Sequence, residues 1–157
     1  MKDLIITIPY REASYDELSP EMRRIVDLAV EATARSYAPY SHFRVGAAIL
    51  LDNGEIVTGA NQENVAFPSG TCAERSACYY AGATYPEARF EAIAVAARGT
   101  DGKLTAIPTA PCGACRQALL EYETRAGHDV TVLMAGASSV YIIPSVKALL
   151  PFDFSEF

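Results

Sequence analysis

The 157-residue sequence holds no apolar run long enough to cross a membrane, and no internal repeat, linker or low-complexity tract. Basic residues are scarce. Thirteen Lys and Arg stand against nineteen Asp and Glu, a formal net charge of -6. Nucleic-acid binders present clustered Lys and Arg, so no nucleic-acid partner is expected, and the absent span predicts no membrane partner. Histidine is almost missing: His42 and His128 lie in unrelated segments with no companion at metal-ligand spacing. The stretch from Met1 to Ile8 lacks the long apolar core and small-residue cleavage site of a signal peptide, so a cytoplasmic location is expected. Only four cysteines are present. In an unsecreted chain, with two of them in a Cys-x-x-Cys, they point to metal or redox chemistry rather than to a disulfide framework.

What is there gathers in two short stretches. One is Thr71-Cys72-Ala73-Glu74-Arg75; the other is Pro111-Cys112-Gly113-Ala114-Cys115-Arg116-Gln117. Together they offer three thiolates, Cys72, Cys112 and Cys115, and a carboxylate, Glu74, which the metal does not need as a ligand. Structural zinc is closed by four protein ligands, whereas catalytic zinc keeps three and leaves one position to water. Cys78, six positions after Cys72, is turned away from the ligand face on a helix and reads as a small buried apolar residue. A redox dithiol would also place Cys-x-x-Cys at a helix start, but it has no use for Cys72-x-Glu74. The pair of motifs therefore predicts one Zn2+ per chain, open to water.

The chain is one domain's worth of residues, with 1–18 as an amino-terminal extension. Within it Leu4–Ile8 is β-prone and suits an edge strand or a docking arm. Ser19-Pro20-Glu21 is a helix start, and Met22, Ile25, Ala29 and Ala32 give that helix a buried face, with an end near Ser36. Val45–Leu51 and Glu55–Gly59 flank Asp52-Asn53-Gly54, the residue types of a tight hairpin turn. A helix begins near Cys72 and runs to about Ala83. Phe90–Ala97, nearly all apolar, reads as a strand buried on both faces. A second cysteine-headed helix runs to about Arg125, followed by strands at Val130–Met134 and Val140–Ile143 and a short helix at Val146–Leu150. Strands alternating with helices after an opening hairpin predict an α/β protein, a three-layer α/β/α sandwich with a mixed five-stranded sheet.

Both cysteine motifs fall at predicted helix starts, where free amides and the positive ends of helix dipoles offset the charge of three thiolates. Arg75 or Arg116 could add to this. With the charge offset, zinc can bring the pKa of water toward about 7, and Glu74 stands where it can take the proton.

Cys-x-Glu followed by Pro-Cys-x-x-Cys is the zinc deaminase pattern. From about Ser36 to Phe154 the sequence resembles the cytidine deaminase family, and in particular its small homotetrameric members with three cysteine ligands. The resemblance implies hydrolysis of cytidine and 2'-deoxycytidine to the uridine counterparts and ammonia, with Glu74 as the catalytic acid and base, and it favours Arg75 as the compensator. It implies that Asn61 and Glu63, in Asn61-Gln62-Glu63-Asn64, bind ribose hydroxyls. In extended chain the two face the same way. It further implies that Phe43 packs on the base, that the Ala73 amide meets the pyrimidine carbonyl, and that Phe154 enters a neighbouring subunit's site. Deaminases of cytosine antibiotics such as blasticidin S look similar around both cysteine motifs, but the Asn61-x-Glu63-Asn64 segment favours a ribose. A zinc-stabilised binding module without activity has no need of an open metal position beside a free Glu74.

Overall fold

The structure is a computed structural model that describes residues 1–155. Strands β1 (Arg11–Ala13), β2 (Arg44–Leu51), β3 (Ile56–Ala60), β4 (Phe90–Arg98), β5 (Thr131–Ala135) and β6 (Val140–Ile143) alternate with helices α1 (Pro20–Ala32), α2 (Ala73–Thr84) and α3 (Gly113–Ala126). The sheet runs in the order β1-β6-β5-β4-β2-β3. Only β4 and β5 are parallel; every other pair is antiparallel, so the sheet is mixed.

Local chemistry accounts for each element. Ser19 caps α1 by accepting the Met22 N–H at 3.3 Å, with Pro20 in the first turn. Ile25, Val26, Ala29 and Ala32 form its buried stripe. The α-helix stops at Ala32, earlier than Ser36, and a single 3-10 turn covers Thr33–Arg35. Thr33 explains the change. Its hydroxyl donates back to the Val30 carbonyl at 2.6 Å while accepting from Arg98 Nε at 2.9 Å, which ties this turn to β4. The β2–β3 hairpin forms as expected, with Gly46 opposite Ala60 and Leu50 opposite Ile56. Gly54 takes the positive φ, +83°, that its turn requires.

α1 covers one face of the sheet, against Ala48, Ala94, Ala96, Leu133 and Ala135. α2 and α3 cover the other, against Ile49, Ile93, Val95, Val132 and Met134. The three layers are therefore as the pattern predicts, and β4 is apolar throughout because both of its faces are covered. α2 lies very close to the sheet. Its Ala73, Ala77 and Ala81 are fully buried, and at Gly59 of β3 a Cβ would come within 2.5 Å of the Ala73 carbonyl oxygen.

Among the described residues the sheet has six strands, not five. The additional strand is Arg11–Ala13, which pairs antiparallel with β6, while Leu4–Ile8 belongs to no element and Leu4, Ile5 and Ile6 are exposed. Pairing begins only after Pro9. It is held by Ser139 Oγ donating to Glu12 Oε1 (2.7 Å), by Tyr10 against Tyr141 (ring centroids 5.2 Å apart), and by Tyr15 Oη donating to the Gly136 carbonyl (2.6 Å). Arg-Glu-Ala carries no alternation that would mark it as a strand. After β6 the expected short helix is reduced to one 3-10 turn, Lys147–Leu149.

Candidate active site

Two helix starts bring the sulfurs together. Cys72 is the N-cap of α2 and Cys112 the N-cap of α3, and Cys115 lies in the first turn of α3, fully buried. Because α2 and α3 pack on the same sheet face, their amino-terminal ends converge. Cys72 Sγ is 3.8 Å from Cys112 Sγ, Cys112 Sγ is 3.5 Å from Cys115 Sγ, and all three sulfurs lie within 4.8 Å of one another. Zinc–thiolate bonds of about 2.3 Å in a tetrahedron set sulfurs about 3.8 Å apart. The trio fits a zinc ion with one position left over.

The protons of the trio are unequally held. Hydrogen bonding from the Cys115 thiol, working against burial and helped by Arg75, lowers Cys72 to about 5. Cys115 is pushed well up, by its hydrogen bond to Cys72 and then by burial. Arg75 Nη2 sits 3.8 Å from Cys72 Sγ. Arg116, the other candidate, is occupied elsewhere: its Nε donates to the Pro111 carbonyl at 2.8 Å and its Nη1 to the Leu149 carbonyl at 3.0 Å. Cys78 stands apart, its thiol pushed up to about 12 by burial. His42 and His128 are exposed.

Glu74 is only 4% exposed. Burial raises its carboxyl above the ordinary range; its own amide opposes this and the charge of Cys72 adds to it. A carboxyl so placed exchanges a proton closer to neutrality than a solvated one does.

A cavity of about 750 Å³ opens over the sulfurs and is lined by Phe43, Asn61, Glu63, Cys72, Glu74, Arg75 and Cys112, among others. Its size suits a small organic molecule. Asn61 Oδ1 accepts the Val45 N–H (2.7 Å) and the Ser36 hydroxyl, and its Nδ2 donates to the Phe43 carbonyl (3.0 Å), so most of its hydrogen-bonding capacity holds the start of β2 in place. Glu63 Oε2 accepts the N–H groups of Tyr40 (2.8 Å) and Ser41 (3.3 Å). The nearby Ser41 side chain and these two amides hold the Glu63 carboxyl below its usual range. Ala73 is fully buried and does not line the cavity; as the first residue of α2, its amide has no acceptor within the helix. Phe154 does not line the cavity. It is 71% exposed, and its main chain is clasped by Gln117 of α3, which donates to the Phe154 carbonyl at 2.8 Å and accepts its N–H at 3.4 Å.

Sequence reasoning passed over Tyr40, Ser41, Phe67 and Thr109, which also line the cavity. Tyr40 and Phe67 meet edge to face with centroids 6.0 Å apart. For Ser41 a signal existed, since a serine two residues before Phe43 is placed to accept the Phe43 N–H.

The sequence model described as the cytidine and deoxycytidylate deaminase zinc-binding region matches residues 20–128. The chain belongs to this family. It is similar to the cytidine deaminase of Sporosarcina psychrophila, 34% identical over 136 residues that make up 87% of this chain and 93% of that one. It is also similar to that of Halalkalibacterium halodurans, 39% identical over 101 residues, 64% of this chain and 71% of the relative. Among solved structures, a cytidine deaminase from Burkholderia pseudomallei superposes with a TM-score of 0.70 at 34% identity, covering 87% of this chain and all of the other. The family match begins at residue 20, so β1 and the residues before it lie outside the matched region.

Proposed function

We propose that the protein is a zinc-dependent cytidine deaminase, which hydrolyses cytidine and 2'-deoxycytidine to uridine and 2'-deoxyuridine with release of ammonia. One observation carries the reading: three sulfurs spaced for zinc lie beside a buried carboxyl that is not one of them, at the floor of a cavity of nucleoside size. The relatives named cytidine deaminase support the substrate class.

When bound, zinc supplies the Lewis acidity that lets water act as a nucleophile near neutral pH. Glu74 takes one proton of the attacking water on a carboxylate oxygen and delivers it to the ring nitrogen beside the amino-bearing carbon; it then carries the remaining proton of the added hydroxyl to the amino group, which leaves as ammonia. Its burial excludes solvent from these transfers. Arg75, beside Cys72, and the two helix ends offset the charge of the thiolates. Glu63 and Asn61 bind the sugar hydroxyls, the Glu63 carboxylate through Oε1 and Asn61 through its second Nδ2 proton. Phe43 packs on the base, and the Ala73 amide meets the pyrimidine carbonyl. The chain acts as a homotetramer in which Phe154 enters a neighbouring site; its exposure and its position at the end of the Gln117 clasp support this. A place in pyrimidine salvage in the cytoplasm follows from the substrate, and no helix among the described residues is long and apolar enough to cross a membrane.

The test is the ultraviolet absorbance of cytidine incubated with the purified protein and with Glu74→Gln, with zinc measured in both. Conversion to the uridine spectrum by the unmutated protein alone, at about one zinc per chain, is the expected result. Zinc without conversion would overturn the substrate assignment and leave only the metal site.

A further inference from the structure

The helix that carries Cys115 also holds the carboxy-terminal segment of the chain. Arg116 and Gln117 follow Cys115 directly, and both reach that segment: Arg116 Nη1 donates to the Leu149 carbonyl at 3.0 Å, and Gln117 Nε2 donates to the Phe154 carbonyl at 2.8 Å. Gln117 Oε1 accepts the Phe154 N–H at 3.4 Å, so one carboxamide takes both backbone groups of one residue. That pattern suits an extended residue, whose N–H and C=O lie on one side, as in the hydrogen-bonded pairs of an antiparallel sheet. The side chain of such a residue stands out of the plane of the bonds, and Phe154 is left exposed. Gln117 is itself exposed and contributes nothing to either apolar core. Lys147 Nζ, 3.9 Å from Asp153 Oδ2 and 69% exposed, makes at most a weak ion pair with the same segment.

We infer that Gln117 is a positioning residue for a site other than its own: its carboxamide holds the Phe154 backbone extended and so aims the ring at the neighbouring subunit, whose site the ring completes. The inference rests on the proposed entry of Phe154 into a neighbouring site. Pro151 to Phe154 belong to no helix or strand, so the ring has a fixed direction only where its backbone is held. Ordering that backbone opposes docking, and the paired hydrogen bonds offset the loss. Phe154 then meets its partner already oriented, and less freedom is lost when the site is completed. Gln117 does not line its own subunit's cavity. Removing its carboxamide therefore acts on the neighbour's reaction and not on its own.

Mixed oligomers test this, because they separate the subunit that holds the clasp from the subunit that reacts. Zinc-loaded chains with different tags are co-expressed and purified on both tags. One chain, Phe154→Ala, keeps its reacting groups and lacks the ring; the second, Glu74→Gln, keeps the ring and lacks turnover. In the mixture, kcat/KM on cytidine per Phe154→Ala chain should rise well above that of Phe154→Ala alone. When the second chain also carries Gln117→Met, the rise should be about tenfold smaller, the worth of two neutral hydrogen bonds. Methionine has a helix propensity close to that of glutamine and forms neither bond, so zinc content should be unchanged. Gln117→Met by itself should lose about tenfold in kcat/KM and recover when mixed with Glu74→Gln, since its defect lies in the tail. Should the methionine variant lose zinc, Gln117→Glu, which keeps the length and the acceptor but not the donor, makes the same comparison. Equal rescue with and without the change at position 117 overturns the role of Gln117 and leaves Phe154 in the neighbouring site. Failure of Glu74→Gln to rescue Phe154→Ala, or a chain that forms no mixed oligomers, overturns the reading of Phe154 and the inference with it.

Discussion

Gly59 is the position where fold and chemistry are most tightly coupled, and Gly59→Ala tests that coupling. A Cβ there would sit 2.5 Å from the Ala73 carbonyl oxygen, 2.6 Å from the Ala77 nitrogen and 3.0 Å from the Ala77 Cβ. The two closest obstacles are backbone, so no rotamer change relieves them. Restoring an ordinary contact of 3.4 Å to the Ala73 oxygen requires α2 to withdraw by about 0.9 Å. Overpacking of this kind costs roughly 1–3 kcal/mol, or a fall in Tm of about 2–4 °C per kcal/mol for a chain of this size. The shift also acts where it matters for catalysis, because Ala73 stands between Cys72 and Glu74. A misplacement near 1 Å costs on the order of 10²-fold in rate. Urea unfolding of the zinc-loaded protein, paired with kcat on cytidine, reads both effects. Zinc must be saturating in both samples, since bound metal itself adds to stability. A variant with unchanged midpoint and unchanged kcat would refute the claim that α2 rests directly on β3 at the site.

Three further perturbations isolate single parts. Glu74→Gln should keep zinc and fold while losing ~10²–10⁴ in turnover, the usual worth of a general acid and base; near-normal activity would remove Glu74 from the reaction. Cys112→Ala should fail to hold zinc, measured by metal content after gel filtration, since two sulfurs cannot complete the three-ligand set. Glu123, 7% exposed, accepts the backbone N–H groups of Val130 (2.9 Å), Val146 (2.7 Å) and Lys147 (2.9 Å), pinning the end of α3 to the start of β5 and to the turn after β6. In Glu123→Gln the new amide turns its own protons toward one or more of these donors, so about 1–3 kcal/mol of stability should be lost with zinc content preserved; an unchanged unfolding midpoint would contradict the staple.

Much of this was legible in the residue order because it depends on short-range chemistry. Ser19-Pro20 starts a helix by its own capping bond, the Asp52-Asn53-Gly54 turn needs only its own dihedral preferences, and β4 shows its burial by its unbroken apolar run. The metal centre was legible for a related reason. Cys72-x-Glu74 and Cys112-x-x-Cys115 each sit within one turn of a helix start, so spacing alone sets which groups face together. β1 was not legible. Arg11-Glu12-Ala13 has no strand pattern, and it pairs because Glu12, Tyr10 and Tyr15 find Ser139, Tyr141 and Gly136 more than a hundred positions away. Leu4–Ile8, with the stronger β propensity, finds no partner strand in the sheet.

The sequence by itself determined the chemistry: which residues are thiolates, which carboxylate stands beside them, and that their motifs head two helices. Only the tertiary structure decided which of two arginines reaches the sulfurs and how the Tyr40–Phe43 loop engages Glu63. The reason is physical. Ligand spacing within a helical turn is a covalent property of the chain, whereas Arg75 against Arg116, and Ser41 against Glu63, are settled by which carbonyls and carboxylates the packed sheet and helices bring within hydrogen-bonding distance.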